Sequence, residues 1–252
     1  LNGTPSWLNT PLQIGDTLTL FLPDEPVSSD ILPVNRPIDI VYEDEDLIIL
    51  NKAAGMPVHP SQGHHENTLA NALAYRFASR GEHFVFRAVN RLDRDTTGLL
   101  LIAKHKISGA FLSAMTAKKE IRREYLAIVS GKPEESGTID LPIARKDGST
   151  IERCIDMEHG EHAVTHYRCL DYRDDLDCSL VLLRLETGRT HQIRVHMKAI
   201  GHPLLGDFLY NPDYRFIGRQ ALHSYTVAFR HPITGEAMEF TAPMPEDFSF
   251  FH

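Results

Sequence analysis

The chain has 252 residues, 42% of them hydrophobic, and 26 basic against 34 acidic side chains for a formal net charge of -8; this length and apolar content allow a sizeable core and exclude collagen-like and wholly disordered classes. No apolar run approaches the roughly 18 residues of a membrane span, and LNGTPSWLNT carries neither the basic nor the apolar region of a secretory leader, so a cytoplasmic protein with no membrane partner is expected. The three cysteines, Cys154, Cys169 and Cys178, lack close Cys-x-x-Cys spacing, which argues for reduced thiols and against a disulfide framework.

Opening on Leu1 rather than Met suggests a processed or trimmed form. GDTLTLFLP (15–23) alternates like a strand after a turn, and the Pro/Ser/Asp-rich DEPVSSDILPVNRP that follows reads as a linker. A domain boundary is therefore expected near residue 35, with a small unit at 1–35 and the main domain at 36–252. IDIVYE (38–43) and LIILNK (47–52) flank an acidic turn as a hairpin. NTLANALAYRFA (67–78) spaces Leu69, Leu73 and Phe77 for an amphipathic helix with Asn67 as N-cap. ISGAFLSAMTAKK (107–119) predicts a second helix with Ile107, Phe111, Ala114 and Met115 on one side, and REYLAIVSG (123–131) alternates as a strand. Later strands are expected over 163–171, 179–187, 221–230 and 237–242. Strands outnumber helices without regular alternation, which predicts an α+β fold: a large mixed, mainly antiparallel sheet whose flanking helices and loops form a central cleft.

Charge is unevenly distributed. Residues 1–50 carry one basic and nine acidic side chains, whereas residues 76–132 carry twelve basic and five acidic ones. A basic block of this kind can neutralise phosphates despite the acidic total. Within it lies NRLDRDTTGLLLIAK (90–104), where Asp93 sits between Arg91 and Arg94 and a turn runs into an apolar strand. Flanking arginines would keep that carboxylate ionised, and a fixed charged oxygen can act in covalent or proton-transfer chemistry; a surface ion-pair cluster is the plainer alternative.

TGRTHQIRVHMKAIGHPLLGD (187–207) is a second chemical segment. As a helix over 190–200 ended by Gly201, it aligns His191, Arg194 and Lys198 on one face; as a strand, it separates His191 from Arg194. Fourteen histidines invite a metal reading for His191, His196 or the loop His59, His64 and His65, but no helical ligand spacing supports it and no metal is expected. No dinucleotide, P-loop or nucleophile-elbow motif occurs.

Taken in order, NKAAGMPVHP (51–60), NRLDRDTTGLLLIAK (90–104), REYLAIVSG (123–131), ETGRTHQIRVHMKAIGHPLLGD (186–207) and ALHSYTVAFRHPITGE (221–236) resemble the RluA-type RNA pseudouridine synthases from about residue 36 to the end. The first 23 residues resemble the closing half of an S4-type RNA-binding module. The resemblance implies conversion of chosen uridines in ribosomal or transfer RNA to pseudouridine by a monomeric enzyme without cofactor or metal. It makes Asp93 the catalytic carboxylate, Arg194 its partner and Tyr125 the ring against the uracil face. Arg91 corresponds to the arginine that fills the space left by a flipped base. Leu204 and Leu205 would floor the pocket, and Lys52, His59, Thr97, His191 and Gln192 would contact the substrate. Asn90, Thr97 and Ala53 depart from the residues common in that family: Asn90 retains hydrogen-bonding ability and Thr97 its hydroxyl, while Ala53 loosens a loop.

Two other readings compete. One is an RNA-binding protein that lost turnover; the other is a nucleoside- or glycoside-cleaving hydrolase using Asp93 with Asp95.

Overall fold

The computed structural model describes residues 1–19, 21, 31–61 and 63–251. Twelve strands and three helices follow in the described chain: β1 Asp39–Glu43, β2 Leu47–Lys52, α1 Leu69–Ala78, β3 Arg87–Ala88, β4 Thr97–Ala103, α2 Lys106–Ala117, β5 Arg122–Ser130, β6 Ser136–Asp140, β7 Ile143–Arg145, β8 Arg153–Ile155, β9 Val164–Arg173, β10 Cys178–Leu185, α3 Gln192–Ala199, β11 Leu222–Arg230 and β12 Ala237–Thr241. Ten strands form one sheet with the path β1-β2-β4-β11-β5-β10-β9-β6, to which β3 adds at β4 and β12 at β11, while β7 and β8 pair separately. The one parallel junction in that sheet is β4 with β11; the other pairings are antiparallel. The mainly antiparallel α+β architecture expected from the sequence is the one observed.

Central strands bury both faces, so alternation sorts their side chains between two cores rather than between core and water. In β5, Tyr125, Ala127 and Val129 join the core beneath α1 and α3, whereas Leu126 and Ile128 join a cluster with Phe248 and Phe251. In β4, Leu100 and Ile102 face the first core, and Leu99 and Leu101 face α2 through Leu112.

The parallel junction rests on a glycine. His223 pairs with Thr97 and Ser224 with Gly98. Gly98 has φ +101°, and a Cβ there would lie 2.1 Å from the Ser224 carbonyl oxygen. No side chain fits that approach.

Three expectations are corrected. The described part of the predicted 15–23 strand, residues 15–19 and 21, is turn and irregular backbone, with Leu18 and Phe21 exposed; alternation supplies a pattern, but a strand also needs a pairing partner. The predicted linker falls partly outside the described residues, and 31–37 is irregular. In α2, Ser108 and Leu112 are buried while Phe111 is exposed, so the helix packs on a face rotated from the one its large apolar residues suggested. The N-cap of α1 is Thr68 rather than Asn67, in a reciprocal capping box with Asn71.

Gly98→Ala is expected to destabilise the protein by at least about 3 kcal/mol, because backbone must move at a central junction. Urea unfolding checks this; a loss below about 1 kcal/mol would show that the junction tolerates a Cβ.

Candidate active site

The cleft forms where the parallel junction leaves two strand starts side by side. Asp93 lies in the turn before β4, closed by the Thr96 N–H on the Asp93 carbonyl at 3.1 Å. Buried cations hold the backbone of this turn. Lys52 Nζ donates to the Arg94 carbonyl at 2.8 Å and to those of Ala53 and Met56 at 2.9 Å each. Arg219 donates to the Asp95 carbonyl at 3.0 Å while pairing with Asp247. Asn90 accepts from the Leu101 N–H at 3.0 Å, fixing the approach to the turn.

The cation on Asp93 is not one of its sequence neighbours. Arg94 turns to Asp95, and Arg91 reaches the Thr190 hydroxyl at 3.2 Å. With their guanidinium groups committed to Thr190 and Asp95, the flanking arginines do not supply the partner of the carboxylate between them. Instead Arg194 Nη1 donates to Asp93 Oδ2 at 2.8 Å from α3. The helical reading of 190–200 holds, with Gly201 at φ +87° and the His202 N–H returning to the Met197 carbonyl.

Arg194 is 1% exposed and lies between two carboxylates. Its Nε and Nη2 make a bidentate pair with buried Asp207, each at 2.7 Å. Burial alone would pull its pKa down, but the hydrogen bond to Asp207 and the charge of Asp93 raise it further above the ordinary arginine value. The guanidinium also stacks over the rings of Tyr210 and Phe208, at 5.0 and 5.5 Å. Asp207 closes the 187–207 segment and has no role legible from its neighbours; a carboxylate buried after Pro-Leu-Leu-Gly signals that a buried cation must exist elsewhere.

Tyr125 is buried, and burial pushes its phenol pKa up, so the ring enters the cleft neutral. His191 begins α3 in a left-handed conformation, φ +57°, with Nε2 3.8 Å from Asp93 Oδ2. Burial lowers its pKa despite the neighbouring Asp93 charge. The cleft holds about 1280 Å³ and continues from Asp93 and Tyr125 along α2 past Ser113. That exceeds the ~300–1,000 Å³ of small-ligand pockets and suits a polymer strand. His59 packs on Phe86 at its rim.

Asp93, Tyr125, Arg194, His191, Arg91 and His59 are thus brought to the cleft and its inner recess. Other expected contacts are elsewhere. Lys52 is buried with its three protons on carbonyls, and burial lowers its pKa to about 7. Thr97 is bonded to His223 Nδ1 at 2.8 Å inside the junction. Gln192 borders the recess, yet its amide bonds Val164, Thr165, Thr187 and Arg189. Leu204 and Leu205 lie in opposite cores, while Leu92 and Leu185 supply apolar cleft wall. Asp95, held by Arg94, does not line the cleft with Asp93.

His196 bonds Thr165 and the Leu141 carbonyl through its two nitrogens. Among the described residues, Asp44, Asp46 and His231 gather closely enough to hold an ion. His231 Nδ1 accepts the Ile233 and Thr234 N–H groups, which leaves the proton on Nε2 to donate to Asp44. That nitrogen has no lone pair for a cation, so the cluster ties the β11–β12 turn to the β1–β2 turn. No helix among the described residues is long and apolar enough to cross a membrane.

Asp207→Ala is expected to destabilise the fold by about 3–5 kcal/mol by leaving the Arg194 charge buried with one partner. Thermal or urea unfolding tests this, and a loss under about 1 kcal/mol would contradict the clamp.

Comparison with known proteins gives the same placement. Residues 46–199 match the model of the RNA pseudouridylate synthase family. The chain is 42% identical over 250 residues to an uncharacterized RNA pseudouridine synthase, YjbO, of Bacillus subtilis strain 168, covering 99% of this chain and 87% of that one. It is 44% identical over 229 residues to the ribosomal large subunit pseudouridine synthase D of Zymomonas mobilis, covering 85% and 72%. Among solved structures, human RNA pseudouridylate synthase domain containing 1 superposes with a TM-score of 0.68 at 28% identity, covering 87% of this chain and 86% of that one. The chain therefore belongs to the RluA-type RNA pseudouridine synthases, enzymes that isomerise uridine in RNA to pseudouridine.

Proposed function

We propose that this enzyme modifies large-subunit ribosomal RNA, with Asp93 as its reacting carboxylate, as a cytoplasmic monomer. The observation that carries the site assignment is the Asp93 carboxylate presented at the cleft by Arg194 and facing the space beside Tyr125. Ribosomal substrate choice draws support from relatives named for the large ribosomal subunit. Residues 36–252 would form the catalytic unit, and 1–35 an additional RNA-contacting segment of S4-like character.

Pseudouridine formation breaks the C1′–N1 bond, turns the uracil, joins C1′ to C5 and transfers the C5 proton away as N1 gains one. The bond balance requires no oxidant or reductant. Asp93, oriented through one oxygen by Arg194, is free through the other to attack the sugar or base or to take a sugar proton. The neutral Tyr125 ring is suited to stack on uracil while it turns. Arg91 stands exposed at the rim, where it can fill the gap left by a flipped nucleotide and offset part of the few kcal/mol of unstacking. His59 lies on the same approach. Leu92 and Leu185, rather than Leu204 and Leu205, would keep water from the freed sugar.

Asp93→Asn keeps side-chain shape and removes charge. Tritium release from [5-³H]uridine-labelled ribosomal and transfer RNA, at matched salt, is expected from ribosomal RNA with the wild type and to be absent with the variant, whose RNA affinity stays within about twofold. Release by Asp93→Asn would remove the carboxylate from the mechanism, and release from transfer RNA alone would reassign the substrate.

A further inference from the structure

Beside Asp93 stands an imidazole whose proton position the surrounding hydrogen bonds settle. His191 Nδ1 is 3.0 Å from the Tyr210 hydroxyl. That hydroxyl already accepts the backbone N–H of Arg153 at 2.8 Å. Tyr210 is buried, so its O–H proton needs an acceptor, and among the described contacts His191 Nδ1 is the one offered. Nδ1 therefore receives a proton from Tyr210 rather than carrying its own, and the imidazole's proton lies on Nε2, the nitrogen 3.8 Å from Asp93 Oδ2.

Resting on the assignment of Asp93 as the reacting group, we infer that Tyr210 is a positioning residue that holds His191 neutral with its Nε2–H turned toward the Asp93 carboxylate, 3.8 Å away, and available to donate to a bound substrate. In this state His191 has no lone pair facing the cleft. It cannot take the C5 proton; it steadies negative charge at Asp93 or on a substrate oxygen while that proton leaves by another route. The Tyr210 ring serves the same carboxylate a second time, since the Arg194 guanidinium stacks on it at 5.0 Å. One side chain thus orients both Arg194, which donates to Asp93, and His191, which faces it. Groups facing His191 are Asp93, Arg194, Asp207, Arg153 and Tyr210. Burial favours the neutral imidazole there.

The test has a structural and a kinetic arm on the full chain. In ¹⁵N-histidine-labelled protein, the His191 signal, identified by its loss in His191→Gln, is expected to show protonated Nε2 and bare Nδ1 at neutral pH, and to become a tautomer mixture in Tyr210→Phe. A wild-type signal with the proton on Nδ1 would overturn the inference whether or not Asp93 is the reacting group. In single-turnover assays, Gln supplies an amide N–H where Nε2–H stood but cannot act as a base. His191→Gln should lose about fivefold in rate and His191→Leu about a hundredfold, with both bearing the same left-handed backbone demand. Tyr210→Phe, which keeps the ring over Arg194, should lose about threefold in kcat with KM within about twofold, and should add no further loss to His191→Gln. Equal impairment by Gln and Leu would instead make His191 a base and sink the proposal.

Discussion

The site depends on one buried cation shared by two carboxylates. Arg194 is held from behind by the bidentate Asp207 pair and presents its remaining N–H to Asp93. A single Arg–Asp pair at a cleft mouth would be mobile, because a long side chain loses rotamer freedom for a modest Coulombic gain. The second carboxylate removes that freedom before substrate arrives. The rigid fork of the guanidinium is what allows three N–H groups to serve two acids in fixed directions. Asp93 is consequently oriented before substrate arrives, which in the proposed mechanism leaves little reorganisation for the chemical step.

The turn that carries Asp93 is fixed with comparable redundancy. Lys52 and Arg219 bind successive carbonyls of the turn, and the close Gly98–Ser224 approach locks the strand that follows. These residues touch no cleft space themselves. They convert sheet pairing, a property of the whole fold, into the position of one carboxylate.

Much of this was legible in the sequence because alternation and helix spacing are local properties. The β1–β2 hairpin, the β5 alternation and α3 with its terminal Gly201 follow from neighbouring residues and appear as expected. Pairing across long separations was less legible. Local reading pointed to the arginines beside Asp93, and it was the family resemblance that supplied the partner the structure shows, Arg194, 101 positions away. Asp207 and Tyr210 went unassigned for the same reason: an aspartate and a tyrosine in a loop show their purpose only once Arg194 and His191 are beside them. Lys52, Thr97 and Gln192, which the family resemblance offered as substrate contacts, have their hydrogen bonds on backbone and neighbouring side chains inside the fold. The large apolar residues of α2 misled because Phe111 remains exposed and small Ser108 is buried.

Arg194 acts by bridging two carboxylates rather than by charge alone. Arg194→Lys keeps the charge but offers a single ammonium that cannot make the bidentate Asp207 pair and reach Asp93 in the same geometry. The single-turnover rate of uridine isomerisation by this variant, measured at saturating RNA on protein shown to be folded, is the most direct test. A fall of at least ~100-fold with RNA affinity unchanged is expected; a rate within a few-fold of wild type would show that positive charge suffices and that the clamp does not set the position of Asp93.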